Sequence, residues 1–402
     1  MPGPLAGIRV VDVSAMVAGP FSTMILAEQG ADVIKIEPLQ GDALRNDLTH
    51  GHEMNALSFN ANRAKRSIAL NLKAPRGLEI ADRLIEQADV FVENFRTGVA
   101  ERMGLGYGRL SANNPRLVYV RSSGMGARGP EAGHRVYDPI VQAKVGLSHL
   151  QGGARGPQFV NSIIADKIAP MMLAQAVTAA LYERSVSGRG QYVEQSMLHA
   201  MLWWMWADMM VTHTYTADDD TDERAPLFGP PMIYATADGN VAVIAGADAE
   251  WRALCVAVER VDLVDDERFA SIEGRIENAV EFGEVFANEF SKSSTETWKR
   301  RLAGAGATYT VVNSPRDVLS DEQIAANDMI TLIDSDAFGR VRLPTPAAQF
   351  SRTPARTGLS PRLGQHTEQI LRELGYSQEE QVTLQAEDVV RACDDSTSVP
   401  AH

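Results

Sequence analysis

An aspartate stands at the start of a long apolar run with helical spacing. Asp166 follows Ser162-Ile-Ile-Ala165 and precedes a stretch rich in Ala, Met and Leu that extends to about Ser185. At a helix start an aspartate usually accepts backbone N–H bonds, which lower its pKa and keep it charged. A charged carboxylate that is partly shielded from water is also a competent nucleophile toward an activated acyl group. The spacing leaves both roles open.

Cations and amides gather where predicted strands begin or end. Asn62–Arg66 precedes one predicted strand and Lys73 follows it, while Asn94–Arg96 and Arg102–Met103 follow the next strand. Open parallel sheets bind ligands at the carboxyl ends of their strands. Arginine offers phosphate a bidentate fork, and an aromatic ring offers a stacking face. These residues could therefore hold a phosphorylated nucleotide, or they could be ordinary solvated loop charges.

Other chemistries find little support in the sequence. It contains no Walker loop, and Gly104-Leu-Gly-Tyr-Gly108 does not match the dinucleotide fingerprint, which argues against a nicotinamide cofactor. The eight histidines show no metal-ligand spacing, so we predict no metal. Two cysteines cannot build a disulfide framework, which favours a reducing, cytoplasmic compartment. Tyr137 follows a glycine-bearing segment, Gly124–Pro130, that could be a lid, an oxyanion-type turn or a surface loop.

Charge and hydropathy argue against two classes of partner. The 402 residues include 38 Lys or Arg and 52 Asp or Glu, a formal charge of −14, whereas binding to a nucleic acid needs clustered cations. No run of about 18 apolar residues exists, and the nearest candidate, Met197–Val211, is short and carries His199 and Asp208. We therefore expect neither nucleic acid nor membrane as a partner. The Trp203–Trp206 part of this run favours a core helix or a subunit interface over a ligand pocket.

The elements that must position these residues alternate between strands and helices. Strands are predicted at 8–13, 31–37, 67–72, 90–93, 117–122 and 192–197, and helices at 21–29, 77–87 and 166–185. A strand, a helix and a second strand within about thirty residues form the minimal parallel crossover. The alternation therefore predicts an α/β fold with a parallel sheet covered by helices on both faces.

Composition indicates where this large domain is interrupted. Its first part covers 1–213, an acidic Pro/Gly-rich linker is predicted at 214–231, and a smaller domain at 232–313. The smaller domain has predicted strands at 232–236 and 241–245 and helices at 249–260 and 279–292. A second connection, 314–361, leads to a terminal helix at 367–374.

Ten phrases in one order carry a resemblance to a known family. They are Pro4–Asp12, Gly30–Glu37, Asn62–Leu72, Val92–Gly98, Arg102–Tyr107, Asn114–Tyr119, Tyr137-Asp138, Ala165-Asp166, Gly188–Gln191 and Leu363–Thr367. Together they resemble the class III CoA-transferases, a family that includes formyl-CoA and carnitine CoA-transferases and the related alpha-methylacyl-CoA racemases. The match covers nearly the whole first half of the chain and the tail more loosely.

The resemblance implies an architecture. A Rossmann-like large domain would be built from both chain ends, so that 362–402 returns to it, and a small α/β domain would lie between two linkers. Each subunit would form an open ring, and two rings would interlock in an obligate homodimer.

The resemblance also implies a reaction and a site. Coenzyme A, supplied as an acyl-CoA, would move from its donor to a carboxylic acid. Asp166 would attack the donor thioester to form a mixed anhydride, the released thiolate would form an aspartyl-CoA thioester, and the acceptor acid would reverse the sequence, with Tyr137 orienting the site. The CoA-contacting positions carried over are Leu72, Lys73, Asn94, Phe95, Arg96, Arg102, Met103 and Arg135, the last at the phosphate end.

Three departures from the family pattern bear on the substrate. Val17 stands where formyl-CoA transferases carry a glutamine, and Ile244–Ala247 is the nearest match to their glycine-rich flap, which argues against oxalate or formate. The racemases carry a histidine at the position of Tyr137, a poor replacement as a proton carrier because its ordinary pKa is near 10. A CoA-transferase is therefore favoured. A 2-methylacyl-CoA racemase and a CoA-binding paralogue with altered chemistry remain the alternatives.

Overall fold

The computed structural model describes residues 3–46, 54–152, 155–216 and 232–393. Their contacts define two compact units. The larger unit joins Met1–Met209 to Asn327–His402, and the smaller unit is Met210–Ala326. Most of the predicted linker at 214–231 lies outside the described residues.

The strands alternate with helices along the first half of the chain, as the sequence predicts. The strands are β1 (Arg9–Asp12), β2 (Asp32–Glu37), β3 (Arg66–Leu70), β4 (Val90–Glu93), β5 (Val118–Ser123), β6 (Tyr192–Ser196), β7 (Ile233–Ala235), β8 (Asn240–Ile244), β9 (Thr308–Val311), β10 (Ile330–Ser335), β11 (Gly339–Pro344) and β12 (Val390–Arg391). The helices of the larger unit are α1 (Ala18–Glu28), α2 (Ala43–Asn46), α3 (Ala56–Ala61), α4 (Pro75–Glu86), α5 (Val99–Arg102), α6 (Tyr107–Asn113), α7 (Asp138–Lys144), α8 (Leu147–Gly152), α9 (Ala165–Ser187) and α10 (Met197–Trp206), followed after the smaller unit by α16 (Thr367–Glu373) and α17 (Gln378–Ala386).

A seven-stranded sheet with the order β12-β3-β2-β1-β4-β5-β6 forms the centre of the larger unit. The six strands β1 to β6 are parallel to their neighbours, and only the two-residue edge strand β12 runs antiparallel. The order 3-2-1-4-5-6 is that of the doubly wound Rossmann fold, in which the order of the strands along the chain reverses between β1 and β4. The predicted α/β architecture is thus confirmed, with an antiparallel edge that the sequence did not indicate.

Both faces of this sheet are buried, because alternate side chains of each strand point to opposite faces. On one face Val11, Ile34 and Phe91 pack with apolar side chains of α4, α6, α16 and α17. On the other face Val10 and Val90 pack with side chains of α1 and α9. Runs of Val and Ile without polar interruption are typical of strands covered on both sides, which explains why they could be recognised in the sequence.

The smaller unit is also mixed α and β. Its sheet has the antiparallel order β7-β8-β9, and its helices are α11 (Asp248–Ala257), α12 (Ile272–Glu277), α13 (Ala279–Phe290), α14 (Thr295–Ala305) and α15 (Glu322–Ala326). Phe282, Phe286 and Phe290 recur every four residues on α13 and form one buried stripe with Trp251 and Trp298. A stripe with this spacing is the core-facing side of an amphipathic helix.

The segment 314–361, expected as a connection, contains regular structure. Strands β10 and β11 pair antiparallel from Ile330 opposite Pro344 to Ser335 opposite Gly339. Leu343 is buried from this hairpin, in a small cluster with Met54 and Phe59. The hairpin therefore packs within the larger unit rather than serving only as a linker.

Candidate active site

The sheet places a crevice between the carboxyl ends of β1 and β4. This is where the chain reverses its winding direction, and in open α/β sheets such a switch point is where ligands bind. The loop after β1 runs through Ser14, Ala15 and Met16, and the loop after β4 runs through Asn94 and Phe95. The site predicted from these loops is therefore assembled by the topology itself.

Asn94 joins the two loops directly. Its Nδ2 donates to the carbonyl of Ala15 at 2.8 Å, and its Oδ1 accepts the N–H of Ala15 at 2.9 Å. The side chain amide thus satisfies both polar groups of one residue, as a neighbouring strand would. In the same loop the N–H of Phe95 donates to Glu93 Oε2 at 2.7 Å, and burial raises the pKa of Glu93 to about 7.

A buried ionic network contacts the loop that follows β1. Asp12 accepts hydrogen bonds from Ser14 Oγ at 2.5 Å and Thr23 Oγ1 at 2.6 Å, and its carboxylate pairs with Lys65 Nζ at 3.0 Å. Lys35 Nζ donates to the Ser14 carbonyl at 2.6 Å. Nearby cations hold the pKa of Asp12 far below its usual range despite burial.

This network corrects one interpretation of the sequence. The cations of Asn62–Arg66 were candidates for phosphate binding, but Lys65 is buried against Asp12 and Arg63 pairs with Glu28 at 2.9 Å. Arg66 pairs with Asp32 at 2.6 Å. Because their charges already have buried or half-buried partners, these residues stabilise the fold rather than face the crevice.

Two cavities open along the crevice and share part of their walls. The first, about 510 Å³, is the Lys73 cavity, and the predicted residues that line it are Leu72, Lys73, Phe95 and Met103. The second, about 420 Å³, is the Asp166 cavity, and the predicted residues that line it are Asn94, Phe95, Arg96, Arg135, Tyr137 and Asp166. Ala15, Met16 and Phe95 line both cavities. Nine of the ten predicted site residues therefore line one or both of these neighbouring cavities, and only Arg102, exposed on α5, lines neither.

Asp166 is the second residue of α9, and its side chain does not cap that helix. The capping carboxylate belongs to Asp138, whose Oδ2 accepts the N–H of Ala165 at 2.6 Å and of Asp166 at 3.1 Å. These two bonds join the start of α7 to the start of α9, and within α7 Asp138 Oδ1 accepts from Gln142 Nε2 at 2.5 Å. The carboxylate of Asp166 is thus left available at the wall of its cavity.

The electrostatics of Asp166 differ accordingly from the sequence-based expectation. The pKa of Asp166 is raised from 3.8 to about 6, mainly by burial and secondly by the nearby charge of Asp138. Of the two roles that the sequence left open, capping, which would lower this pKa, falls instead to Asp138, a residue 28 positions earlier. A carboxylate with a raised pKa is more basic and, once ionised, a better nucleophile.

The segment before α7 carries two further predicted residues. Tyr137 and Arg135 are exposed, whereas Val136 between them is half-buried. A side chain at Gly124 would come within 2.6 Å of Val136 Cβ, so this glycine permits the close packing that holds the segment at the cavity. Gly124 itself lines the Asp166 cavity, and the rest of the Gly124–Pro130 segment, for which a lid, an oxyanion-type turn and a surface loop were the alternatives, forms bends and turns.

Two residues of the site had no clear signal in the sequence. Asp138 was noted only as a neighbour of Tyr137, and its capping role depends on a contact across 27 residues. Met16 lines both cavities with a positive φ of 67°, a conformation that costs free energy for any residue with a side chain and often occurs at functional sites. Its N–H donates to Asp42 Oδ2 at 2.9 Å, which helps to hold that conformation.

Within the described ranges no group of three His, Cys, Asp or Glu side chains is arranged to hold a metal ion. Over the same residues, none of the helices combines the length and the apolar composition needed to cross a membrane.

Known proteins resemble this chain over nearly its whole length. The model of CoA-transferase family III matches residues 5–367. The succinate–glutarate CoA-transferase of Agrobacterium fabrum is 33% identical over 390 residues, covering 92% of this chain and 96% of that protein. The succinyl-CoA–D-citramalate CoA-transferase of Chloroflexus aurantiacus is 31% identical, covering 97% and 98%.

The fold has a matching counterpart among solved structures. The crystal structure of a CAIB/BAIF family protein from Brucella suis superimposes with a TM-score of 0.83 at 30% identity, covering 93% of this chain and all of that one. These findings confirm the resemblance drawn from the ten sequence phrases. The chain belongs to CoA-transferase family III and is a CoA-transferase.

Proposed function

We propose that this enzyme transfers CoA through a covalent intermediate on Asp166. The observation that carries the proposal is the free carboxylate of Asp166 at the wall of a cavity, with its helix cap supplied by Asp138. A carboxylate that also capped the helix would lose nucleophilic lone pairs to backbone N–H groups. Here those bonds go to the neighbouring acid, and Asp166 stays reactive.

The steps conserve atoms and charge. The Asp166 carboxylate attacks the donor thioester carbonyl, the C–S bond breaks, and a mixed anhydride and CoA thiolate form. The thiolate then attacks the aspartyl carbonyl of the anhydride, which releases the donor acid and leaves an aspartyl-CoA thioester. The acceptor carboxylate displaces the thiolate from this thioester, and the thiolate attacks the acyl carbonyl of the second anhydride to give the new acyl-CoA and free Asp166.

The two cavities, which share Ala15, Met16 and Phe95 in their walls, suit a long substrate with a nucleotide at one end. In our assignment the nucleotide end of CoA lies in the Lys73 cavity with Leu72, Lys73 and Met103, and Arg102 approaches its phosphates. The pantetheine arm passes Asn94, Phe95 and Arg96 toward Asp166, where Tyr137 orients the acyl group. Phe95 supports this path because its side chain lines both cavities.

Dicarboxylic acids are the proposed acyl groups. Both relatives described above are named for succinate or succinyl-CoA together with glutarate or D-citramalate, which are dicarboxylic acids. The expectation from Val17 and Ile244–Ala247, that oxalate and formate are not the substrates, narrows this class to dicarboxylic acids longer than oxalate.

A homodimer is proposed as the working form, with interlocked subunits as the family resemblance implies. Exposed apolar side chains support it, since Trp203 is 69% exposed and Trp206 45% on α10, and Tyr182 is 75% exposed on α9. Neighbouring exposed rings of this size usually mark an interface. Light scattering coupled to gel filtration would give twice the chain mass, and a monomer at micromolar concentration would contradict the proposal.

Replacement of the nucleophile tests the central claim. Asp166→Ala should lower CoA transfer from succinyl-CoA to glutarate at least a thousandfold, while calorimetry still detects CoA binding. Glu183→Gln, an exposed acid on the same helix, is the matched control and should retain activity. Hydroxylamine added during turnover should label Asp166, as read by mass spectrometry. Substantial turnover by Asp166→Ala, or an unlabelled peptide, would refute the covalent route.

A further inference from the structure

The Asp166 cavity carries an excess of positive charge. Its basic lining residues are Arg96, Arg121, His134 and Arg135, and its one acidic lining residue is Asp166. The chain as a whole has a formal charge of −14, so this concentration runs against the composition. A cleft lined by one sign of charge concentrates ligands of the opposite sign. The cavity therefore suits an anion in addition to the uncharged thioester.

Two of these four basic groups already have partners. Arg121 Nε lies 3.7 Å from Glu93, and Arg121 Nη2 donates to Thr97 Oγ1 at 2.9 Å. His134 lies near Glu131, a carboxyl whose pKa is lowered mainly by its hydrogen bond and ion pair with Lys144 and to a smaller extent by His134. By contrast, the guanidinium groups of Arg96 and Arg135 make no ion pair or side-chain hydrogen bond with the residues that the structure describes. They are the groups available to a ligand.

The positions of the two arginines differ. Arg96 follows Phe95, which lines both cavities, and so lies where the CoA arm would pass. Arg135 lines the Asp166 cavity alone and is two residues from Tyr137. The half-buried Val136 packed against Gly124 leaves Arg135 and Tyr137 exposed on either side of it. Arg135 is thus attached to the wall that faces the acyl group rather than to the nucleotide end.

We propose that Arg135 binds the far carboxylate of a dicarboxylic substrate while the near carboxylate, or its thioester, reacts at Asp166. A planar guanidinium matches a carboxylate in a bidentate pair, which gives both orientation and affinity. This inference rests on the proposed function and replaces the assignment of Arg135 to the phosphate end of CoA. It makes Arg135 the residue that distinguishes dicarboxylic acids from fatty acids of the same length.

The test compares two acceptor acids with one donor. In a ping-pong reaction kcat/KM for the acceptor reports only the second half-reaction, so the ratio of kcat/KM for glutarate to that for pentanoate cancels any effect on CoA. Arg135→Gln should lower this ratio ten- to hundredfold, as expected when a charge-assisted hydrogen bond is lost, and Arg135→Lys should restore part of it. An unchanged ratio, with both constants falling equally, would overturn the proposal and return Arg135 to CoA.

A second measurement on the unmodified enzyme covers a variant that fails to fold. Phenylglyoxal should modify Arg135, and glutarate should slow that modification while pentanoate does not, as followed by peptide mass spectrometry. Protection by CoA alone would overturn the proposal. Both measurements use enzyme with Asp166 in place, so a negative result would refute the role of Arg135 and leave the proposed role of Asp166 unaffected. Turnover by Asp166→Ala would refute the covalent route, but it would not change the interpretation of the glutarate-to-pentanoate ratio.

Discussion

Asp138→Asn should move the acidic limb of the pH–rate profile to lower pH. Asp166 must be ionised to attack a thioester, and its pKa near 6 instead of 3.8 means that ionisation costs about 3 kcal/mol more than in water. Burial is the larger cause and remains in the variant, while the charge of Asp138 is removed. The part due to Asp138 is therefore less than half, and we expect the midpoint to fall by at most about one pH unit, to about 5.

The sign and size follow from the fraction ionised. At pH 5 a group with a pKa of about 6 is roughly one-tenth ionised, and a group with a pKa of about 5 is half ionised. Relative to its own plateau above pH 8, the variant should thus be more active at pH 5 than the unmodified enzyme, by up to roughly fivefold. The measurement is kcat/KM for the acyl-CoA between about pH 4.5 and pH 8.5, which reports the free enzyme. Titration of the CoA phosphates affects both proteins equally.

Gln142→Ala is the matched control, because it loosens the same junction but keeps the charge. Gln142 holds Asp138 Oδ1 at 2.5 Å and accepts the Val160 N–H at 2.9 Å, so its loss should lower thermal stability without moving the limb. An acidic limb that stays in place in Asp138→Asn, or that shifts equally in Gln142→Ala, would refute an electrostatic role for Asp138.

Two further variants test the supporting structure. Lys65→Met leaves the Asp12 carboxylate buried without its cation and should lower the free energy of unfolding, measured by urea titration, by about 3–5 kcal/mol. The control Lys73→Met replaces an exposed lysine and should change that free energy by less than about 0.5 kcal/mol. Equal effects of the two variants would contradict a stabilising role for the buried Lys65–Asp12 pair. Glu93→Ala removes the acceptor for the Phe95 N–H and should raise KM for the acyl-CoA about tenfold. Glu93→Gln keeps an acceptor oxygen, so its KM should stay near that of the unmodified enzyme. An unchanged KM in Glu93→Ala would show that the loop after β4 does not depend on this hydrogen bond.

The sheet could be predicted from the sequence because its strands are short apolar runs between clear breaks. The strand at 90–93 was predicted to the residue, and Gly188 ends α9 in the left-handed conformation that glycine favours. The hairpin at 330–344 was not predicted, because the Pro-rich stretch that follows led to the whole segment being interpreted as a connection, although Arg340 to Leu343 alternate between exposed polar and more buried apolar residues as a strand does. The two-residue strand β12 is too short to give any pattern.

The site was predicted in position but not in its internal contacts. Asn94 and Phe95 follow a strand end, so the topology alone carries them to the crevice. The partners of Asp166 and Lys65 could not be predicted in this way, because their contacts join residues that are 28 and 53 positions apart in the sequence. Whether an acid caps a helix or a lysine meets a buried aspartate depends on packing that spacing does not encode, and these were the two features that the sequence misassigned or left open.

The hydrogen bonds between Asn94 and the backbone of Ala15 leave the side chain at position 15 open to redesign. Both hydrogen bonds are made to the peptide groups of Ala15, so the identity of the methyl side chain is not read by Asn94. Yet Ala15 lines both cavities. A larger residue at position 15 would reduce the space in both cavities, and a polar residue would make their shared wall more hydrophilic. The two hydrogen bonds between Asn94 and the backbone of residue 15 would persist in either case. Position 15 is thus a natural starting point for engineering selectivity among acyl-CoA analogues.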